Sequence, residues 1–302
     1  MIPKGGIAFF DSGIGGLTVL ETCRKRLQGE LFYYYGDNAY APYGNRSEKE
    51  IFRRVKKAMR LFRRLRVQAV VFACNTVTAV CVDELRKKYS FPIIGAEPAV
   101  QLAAKDGGEI FILTTRATYQ SHRFEKLLSE TSKKYPQAKL LAFACDGLAG
   151  AIEKNIYNAA FDYAPYLPDG KPNVVVLGCT HYVYIKQLAG KKYQCKVVDG
   201  NEGIARRLTE ILKNNKNIRA HTCKKPKKSF LRPFITTKAK RCKEVNKYSP
   251  KNGKKNPKKD EGANVLFLGK SKGFNEKAYK QMFAFTKNGH KSVFGGQKIK
   301  KN

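Results

Sequence analysis

The sequence predicts an α/β protein with mainly parallel sheets flanked by helices, arranged as two similar halves. Three observations carry that reading. Short, continuous runs of Val, Ile, Leu and Phe alternate with helical patterns up to about residue 212. A strand–cysteine–helix unit occurs twice: Val70-Val71-Phe72-Ala73-Cys74-Asn75-Thr76 lines up with Val175-Val176-Leu177-Gly178-Cys179-Thr180-His181. Between the copies stands Glu97-Pro98, a suitable joint because proline biases the preceding residue toward extended backbone.

The elements follow in order. Residues 6–10 read as an apolar strand, 15–27 as an amphipathic helix and 31–35 as a strand. A helix over 47–65 begins at a Ser47 cap with Glu50 three residues on, a pairing that satisfies free amides of the first turn. A buried strand at 68–73, a helix at 76–89 and a short strand at 92–95 complete the first half. The pattern then restarts with strand 109–113, helix 117–130, strand 139–143 and helix 148–158. Strand 173–177, a short helix near 182–188, strand 194–198 and helix 202–214 close the second half. Residues 215–260 lack sustained periodicity and are rich in Lys, Asn and Pro, which suits a solvated, disordered insertion. Strand 264–268 and helix 275–285 return to the first half. The expected domains are 1–97 with about 208–214 and 261–302, then 98–207, with 215–260 a basic insertion.

Composition narrows the function classes. A hydrophobic fraction of 42% over 302 residues is enough to bury a core. No apolar run reaches the roughly 18 residues a membrane span requires, and the N-terminus enters a strand pattern without a signal-peptide core, so a cytoplasmic location with no membrane contact is expected. The eight cysteines are scattered, without a C-x-x-C pair or zinc spacing, so reduced thiols and no metal site are expected. The net charge of +35 is uneven, since 213–260 holds 18 Lys/Arg against Glu244 and Asp260. Such a segment suits non-specific polyanion contact. Its aromatics (Phe230, Phe234, Tyr248) are isolated, and no nucleic-acid-binding fold motif accompanies them.

The repeat matters most for chemistry. Ligands of open α/β sheets bind beyond the carboxyl ends of the strands, so two facing halves would put Cys74 and Cys179 on either side of one cleft. A cysteine just before a helix sits near the positive end of its dipole, which is expected to lower the thiol pKa. Two opposed thiols suit inversion of a carbon centre: one removes the proton while the other supplies one. Carbanionic charge then needs donors, which Asn75, Thr76 and Thr180 with helix amides could supply. His181, two residues past Cys179, could tune that thiol or relay its proton. A Cys–His hydrolase is an alternative, but it leaves Cys74 and the repeat unexplained. Asp11-Ser12-Gly13-Ile14-Gly15-Gly16 opens the first helix; it fails the Walker pattern and has Thr18 where a dinucleotide fingerprint has its third glycine. It reads instead as a substrate loop, Asp11 pairing with an ammonium group or moving a proton and Ser12 donating a hydrogen bond.

Five signatures then carry a resemblance: Phe10-Asp11-Ser12-Gly13-Ile14-Gly15-Gly16-Leu17-Thr18-Val19, Tyr34-Tyr35-Gly36-Asp37 with Pro42-Tyr43-Gly44, Ala73-Cys74-Asn75-Thr76, Glu97-Pro98-Ala99, and Gly178-Cys179-Thr180-His181-Tyr182. Over roughly residues 5–212 the chain resembles the glutamate racemases, cofactor-independent enzymes that make D-glutamate for peptidoglycan. The resemblance implies two pseudo-symmetric α/β domains with the active site between them and no cofactor or metal. It implies that Cys74 acts on D-glutamate with Asp11 assisting, and Cys179 on L-glutamate with His181 assisting. Asp11, Ser12, Tyr43, Gly44, Asn75, Thr76, Thr118, Thr180 and His181 would hold the substrate, and Glu153 is the match for a second-domain catalytic carboxylate. The expected partners are L-/D-glutamate and a second copy of the chain, with polyanion contact through 213–260. Two alternatives remain open: a racemase of another acidic amino acid such as aspartate, and a polyanion-binding role for the basic insertion.

Overall fold

The computed structural model describes residues 5–214, 265–269 and 272–283; the expected insertion at 215–260 lies outside the described residues. Two parallel sheets organise the chain. The first contains β1 (Ile7–Asp11), β2 (Phe32–Gly36), β3 (Ala69–Phe72), β4 (Ile93–Gly95) and β9 (Val265–Phe267), in the order β4-β3-β1-β2-β9. The second contains β5 (Gly108–Thr114), β6 (Ala138–Ala144), β7 (Val174–Leu177) and β8 (Lys196–Val198), in the order β6-β5-β7-β8. Matching β1 to β5, β2 to β6, β3 to β7 and β4 to β8 makes the two orders identical, with β9 added at one edge of the first. Every strand pair is parallel.

Helices cover both faces, which is why the central strands are apolar without alternation. β1, β3 and β7 are buried at every position. The helices of the first half are α1 (Leu17–Arg26), α2 (Glu48–Arg64) and α3 (Asn75–Lys88). In α2 the Ser47 hydroxyl caps the Glu50 amide at 3.3 Å, as the sequence predicts. That helix buries Ile51, Val55, Ala58, Met59 and Phe62 and turns its Lys/Arg face outward.

The second half is less regular than its sequence pattern. A short helix, α4 (Val100–Ala104), follows Glu97-Pro98 where no element was expected. The helix expected over 117–130 is two: α5 (Arg116–Tyr119) and α6 (His122–Lys134). Thr115 caps the first by accepting from the Thr118 amide, and Ser121 caps the second by accepting from the Phe124 amide. Two successive caps therefore break a run that hydrophobic spacing alone reads as continuous. α7 (Leu148–Asn155) stops short of residue 158. The element expected near 182–188 is a 3₁₀ segment, Thr180–Ile185, leading into α8 (Lys186–Tyr193). α9 (Asn201–Asn214) packs on α1, and α10 (Lys272–Phe283) returns to the first sheet, where Tyr279 donates to buried Glu21 at 2.7 Å.

Candidate active site

In each sheet the strand order reverses beside the first strand, β1 or β5, and the crevice at such a point opens at the carboxyl ends. Asp11 ends β1, and Cys74 follows β3 as the residue capping α3. Thr114 ends β5, and Cys179 follows β7. Both thiols are buried, at 5% and 7% exposure, and close enough for a charge on Cys179 to disfavour the Cys74 thiolate.

The glycine loop after β1 is the floor of the site. A β-carbon on Gly13 would lie 2.5 Å from Glu153 Oε2, and one on Gly15 would lie 2.5 Å from Thr180 Oγ1. Glycine is needed here because the second half packs directly against the loop backbone. Two tyrosines pin that backbone: Tyr34 donates to the Gly13 carbonyl and Tyr184 to the Ile14 carbonyl, each at 2.7 Å. Asp11 is fully buried, accepting from the Gly13 amide at 2.7 Å and from Thr180 Oγ1 at 3.1 Å. Burial pushes its carboxyl above the usual range, against the pull of nearby His181.

The two thiols have unlike surroundings. Cys74 donates to Ser12 Oγ at 3.7 Å. Burial and then the charge of Asp11 push it up to about 12, although the Val77 amide at the start of α3 and Ser12 act the other way. The lowering expected from the helix end does not prevail, because desolvation outweighs it. For Cys179 the expected α-helix is absent, since the residues that follow it form the 3₁₀ segment. It faces His181 instead, with Sγ 3.9 Å from Nδ1. His181 Nε2 lies 2.5 Å from Glu153 Oε2. Burial works against the imidazolium, but bonds to Cys179 and Glu153 outweigh it and raise the His181 pKa well above its ordinary value. Glu153 goes the other way: burial opposes its ionisation, yet His181, the Ile14 amide and Asn38 together hold it below the usual value.

The remaining residues named from the sequence fall into three groups. Thr76 Oγ1 is 2.9 Å from Thr115 Oγ1 and 3.5 Å from Thr118 Oγ1, so hydroxyls of both halves meet. Tyr43 donates to Asp37 Oδ2 at 2.7 Å, and Gly44 abuts the Thr115 side chain. Asn75 turns away, its amide donating to the Ala96 carbonyl at 3.2 Å. Thr180 and Thr76 both pair with protein groups, Asp11 and Thr115. Thr115, Asn38, Tyr34 and Tyr184 were not singled out by sequence reasoning as site residues. Only Thr115 left a usable signal, a threonine at a helix start beside a named site residue.

Comparison with known proteins places the arrangement. The family model for Asp/Glu/Hydantoin racemase matches residues 17–208. A glutamate racemase of Clostridium botulinum (strain Kyoto / Type A2) is 37% identical over 226 residues, covering 70% of this chain and 86% of that protein. The crystal structure of Escherichia coli glutamate racemase, in complex with L-glutamate and the activator UDP-MurNAc-ala, superposes with a TM-score of 0.63. It has 28% identity and covers 70% of this chain and 83% of that one. Glutamate racemase isoform RacE1 from Bacillus anthracis gives a TM-score of 0.61 at 28% identity, covering 71% and 84%. With a family model over residues 17–208 and a relative of 37% identity covered to 86%, the chain belongs to the Asp/Glu/Hydantoin racemase family.

Proposed function

We propose that this protein interconverts L- and D-glutamate by moving protons between the substrate α-carbon and two cysteines, without a cofactor. The observation that carries the reading is the placement of Cys74 and Cys179 at equivalent strand ends of two sheets with the same order, both opening on one buried polar cluster. In the L-to-D direction Cys179 takes the α-proton and Cys74 delivers one to the opposite face; in reverse the roles exchange. His181 receives the Cys179 proton at Nδ1, because its Nε2 is committed to Glu153. Ser12 and the Val77 amide are the groups at hand to support a Cys74 thiolate. Thr76, Thr118, Thr180, Tyr43 and Gly44 would hold the two carboxylates, with Asn75 contributing through its backbone amide at the start of α3, since its side chain is turned to Ala96, and Asp11 would hold the ammonium group.

The same reading puts the cleft between domains 1–97 (with about 208–214 and 261–302) and 98–207. It takes the working form as a homodimer in the cytoplasm, supplying D-glutamate for peptidoglycan. Among the described residues no helix is long and apolar enough to cross a membrane. Any polyanion contact is assigned to 213–260, on charge alone.

The test is deuterium uptake at Cα in heavy water, followed for both enantiomers of glutamate and of aspartate. Glutamate should exchange and aspartate should not. Exchange of aspartate in preference would move the assignment to the rival substrate, and no exchange of either glutamate enantiomer would sink it.

A further inference from the structure

Asn38 lies in the gap between the two parts of the second signature, Tyr34–Asp37 and Pro42–Gly44, and belongs to neither part. It opens the 3₁₀ turn Asn38–Tyr40 after β2, and Nδ2 donates to Glu153 Oε1 at 2.6 Å. The other oxygen of that carboxylate accepts from the Ile14 amide at 3.3 Å and meets His181 Nε2 at 2.5 Å. His181 Nδ1 then faces Cys179. The chain of contacts Asn38–Glu153–His181–Cys179 therefore starts in the first half and ends on the thiol of the second.

Two further observations show that this placement is held against a cost. Asn38 Oδ1 is buried with no hydrogen-bond partner among the described residues. Turning the amide over would set oxygen against an ionised carboxylate oxygen, so the donor end is committed and the acceptor end is left bare. The turn itself is clamped: Asp37 accepts from Tyr43 at 2.7 Å and from Arg54 at 3.3 Å, and Arg46 Nε donates to the Tyr40 carbonyl at 2.6 Å. The surrounding turn thus holds the amide with its donor end on Glu153.

We infer that Asn38 is a positioning residue that sets the acid/base behaviour of Cys179, and not of Cys74, by holding the Glu153 carboxylate on His181 across the junction of the two halves. This rests on the reading of Cys179 as a proton-transfer group. With Nε2 donating to Glu153, Nδ1 is the imidazole atom that faces Cys179 and is placed to exchange a proton with it. Without Asn38, Glu153 is free to swing from His181, and the imidazolium loses its counter-ion. The other titratable groups along this chain of contacts are Asp11 beside His181, Tyr34, Tyr157 and Tyr184 around Glu153, and Cys74, Cys145 and Tyr182 around Cys179. None of them is removed by substituting Asn38. Cys74 takes its contacts from Ser12 and the start of α3.

The test is iodoacetamide alkylation of the full-length, substrate-free protein, read cysteine by cysteine by peptide mass spectrometry across a pH series. Asn38→Ala removes the donor; Asn38→Leu removes it while filling the space and deleting the bare carbonyl. In both, the Cys179 profile should move up by about one pH unit, a roughly tenfold loss of thiolate below its midpoint. The Cys74 profile should not rise with it; with less charge on Cys179 it should hold or fall slightly. An unmoved Cys179 profile in both variants overturns the proposal, and so does an equal change in both thiols. Because the readout is a thiol and not turnover, a Cys179 shift in a protein that fails to exchange glutamate would separate this inference from the racemase reading.

Discussion

Asp11 shows most plainly what the site asks of a single residue. It is wholly buried, has two hydrogen-bond donors, and still has its pKa raised by desolvation. A carboxyl whose folded pKa lies above its unfolded value gives stability that is full below the unfolded value and lost as pH rises through the folded one. Asp11→Asn should therefore melt higher than the parent near neutral pH, by ~1 kcal/mol on the usual scale of such gains. The difference should shrink toward pH 4, and proton exchange at Cα should fall by about 10²-fold or more. Thermal melts over pH 4–8 beside a racemisation assay check both parts; a variant that melts lower at neutral pH and gains nothing from acid would contradict this reading. The His181–Glu153 pair combines both patterns, with His181 raised like Asp11 and Glu153 lowered. Its contribution is present above the ordinary glutamate value and below the ordinary histidine value, and it fades outside that window as each shifted pKa is crossed. Cys74, Cys179, Asp11 and His181 were legible in the sequence because they sit in motifs at strand ends. Asn38 was not, since a short polar residue in a loop looks like any turn former until its partner 115 positions away is known.

At the scale of elements, the α5–α6 break joins architecture to chemistry. Thr115 caps α5 and also meets Thr76 from the other half, whereas Ser121 caps α6 and donates to the Thr118 carbonyl at 2.7 Å, both within its own half. Ser121→Ala should cost about 1 kcal/mol of stability and leave turnover near that of the parent. Thr115→Ala should cost a similar amount of stability and also raise KM or lower kcat. Denaturant melts and steady-state kinetics on the two variants separate the roles; equal kinetics in both would show Thr115 to be a cap and nothing more. Helix starts with a cap and a following glutamate, such as Ser47 with Glu50, were readable because the signal is local. The double cap was not, because hydrophobic spacing runs through both helices. Nor was the 3₁₀ segment after Cys179, whose shape is set by Tyr182 donating to the Thr114 and Cys145 carbonyls.

The whole molecule is two copies of one sheet order closed upon a shared polar cluster, and the closure is built from many small ties. Glu153 reaches Asn38 and Ile14, Thr180 reaches Asp11, and Thr76 reaches Thr115. Near the joint, Arg123 of α6 bonds Asp83 of α3 at 2.9 Å and Glu97 at 2.7 Å. The repeat of the strand–cysteine–helix unit foretold this symmetry, while the pairing of side chains across the junction needed coordinates. The account stands on both thiols being required. Enantiomers have equal free energy, so kcat/KM is the same in the two directions and cannot reveal which thiol serves which face. Deletion of each can show that both are needed. The decisive measurement is the racemisation rate, by chiral chromatography, of Cys74→Ala and Cys179→Ala. The account predicts that each variant loses at least about 10²-fold in both directions; turnover like that of the parent in either one would contradict it.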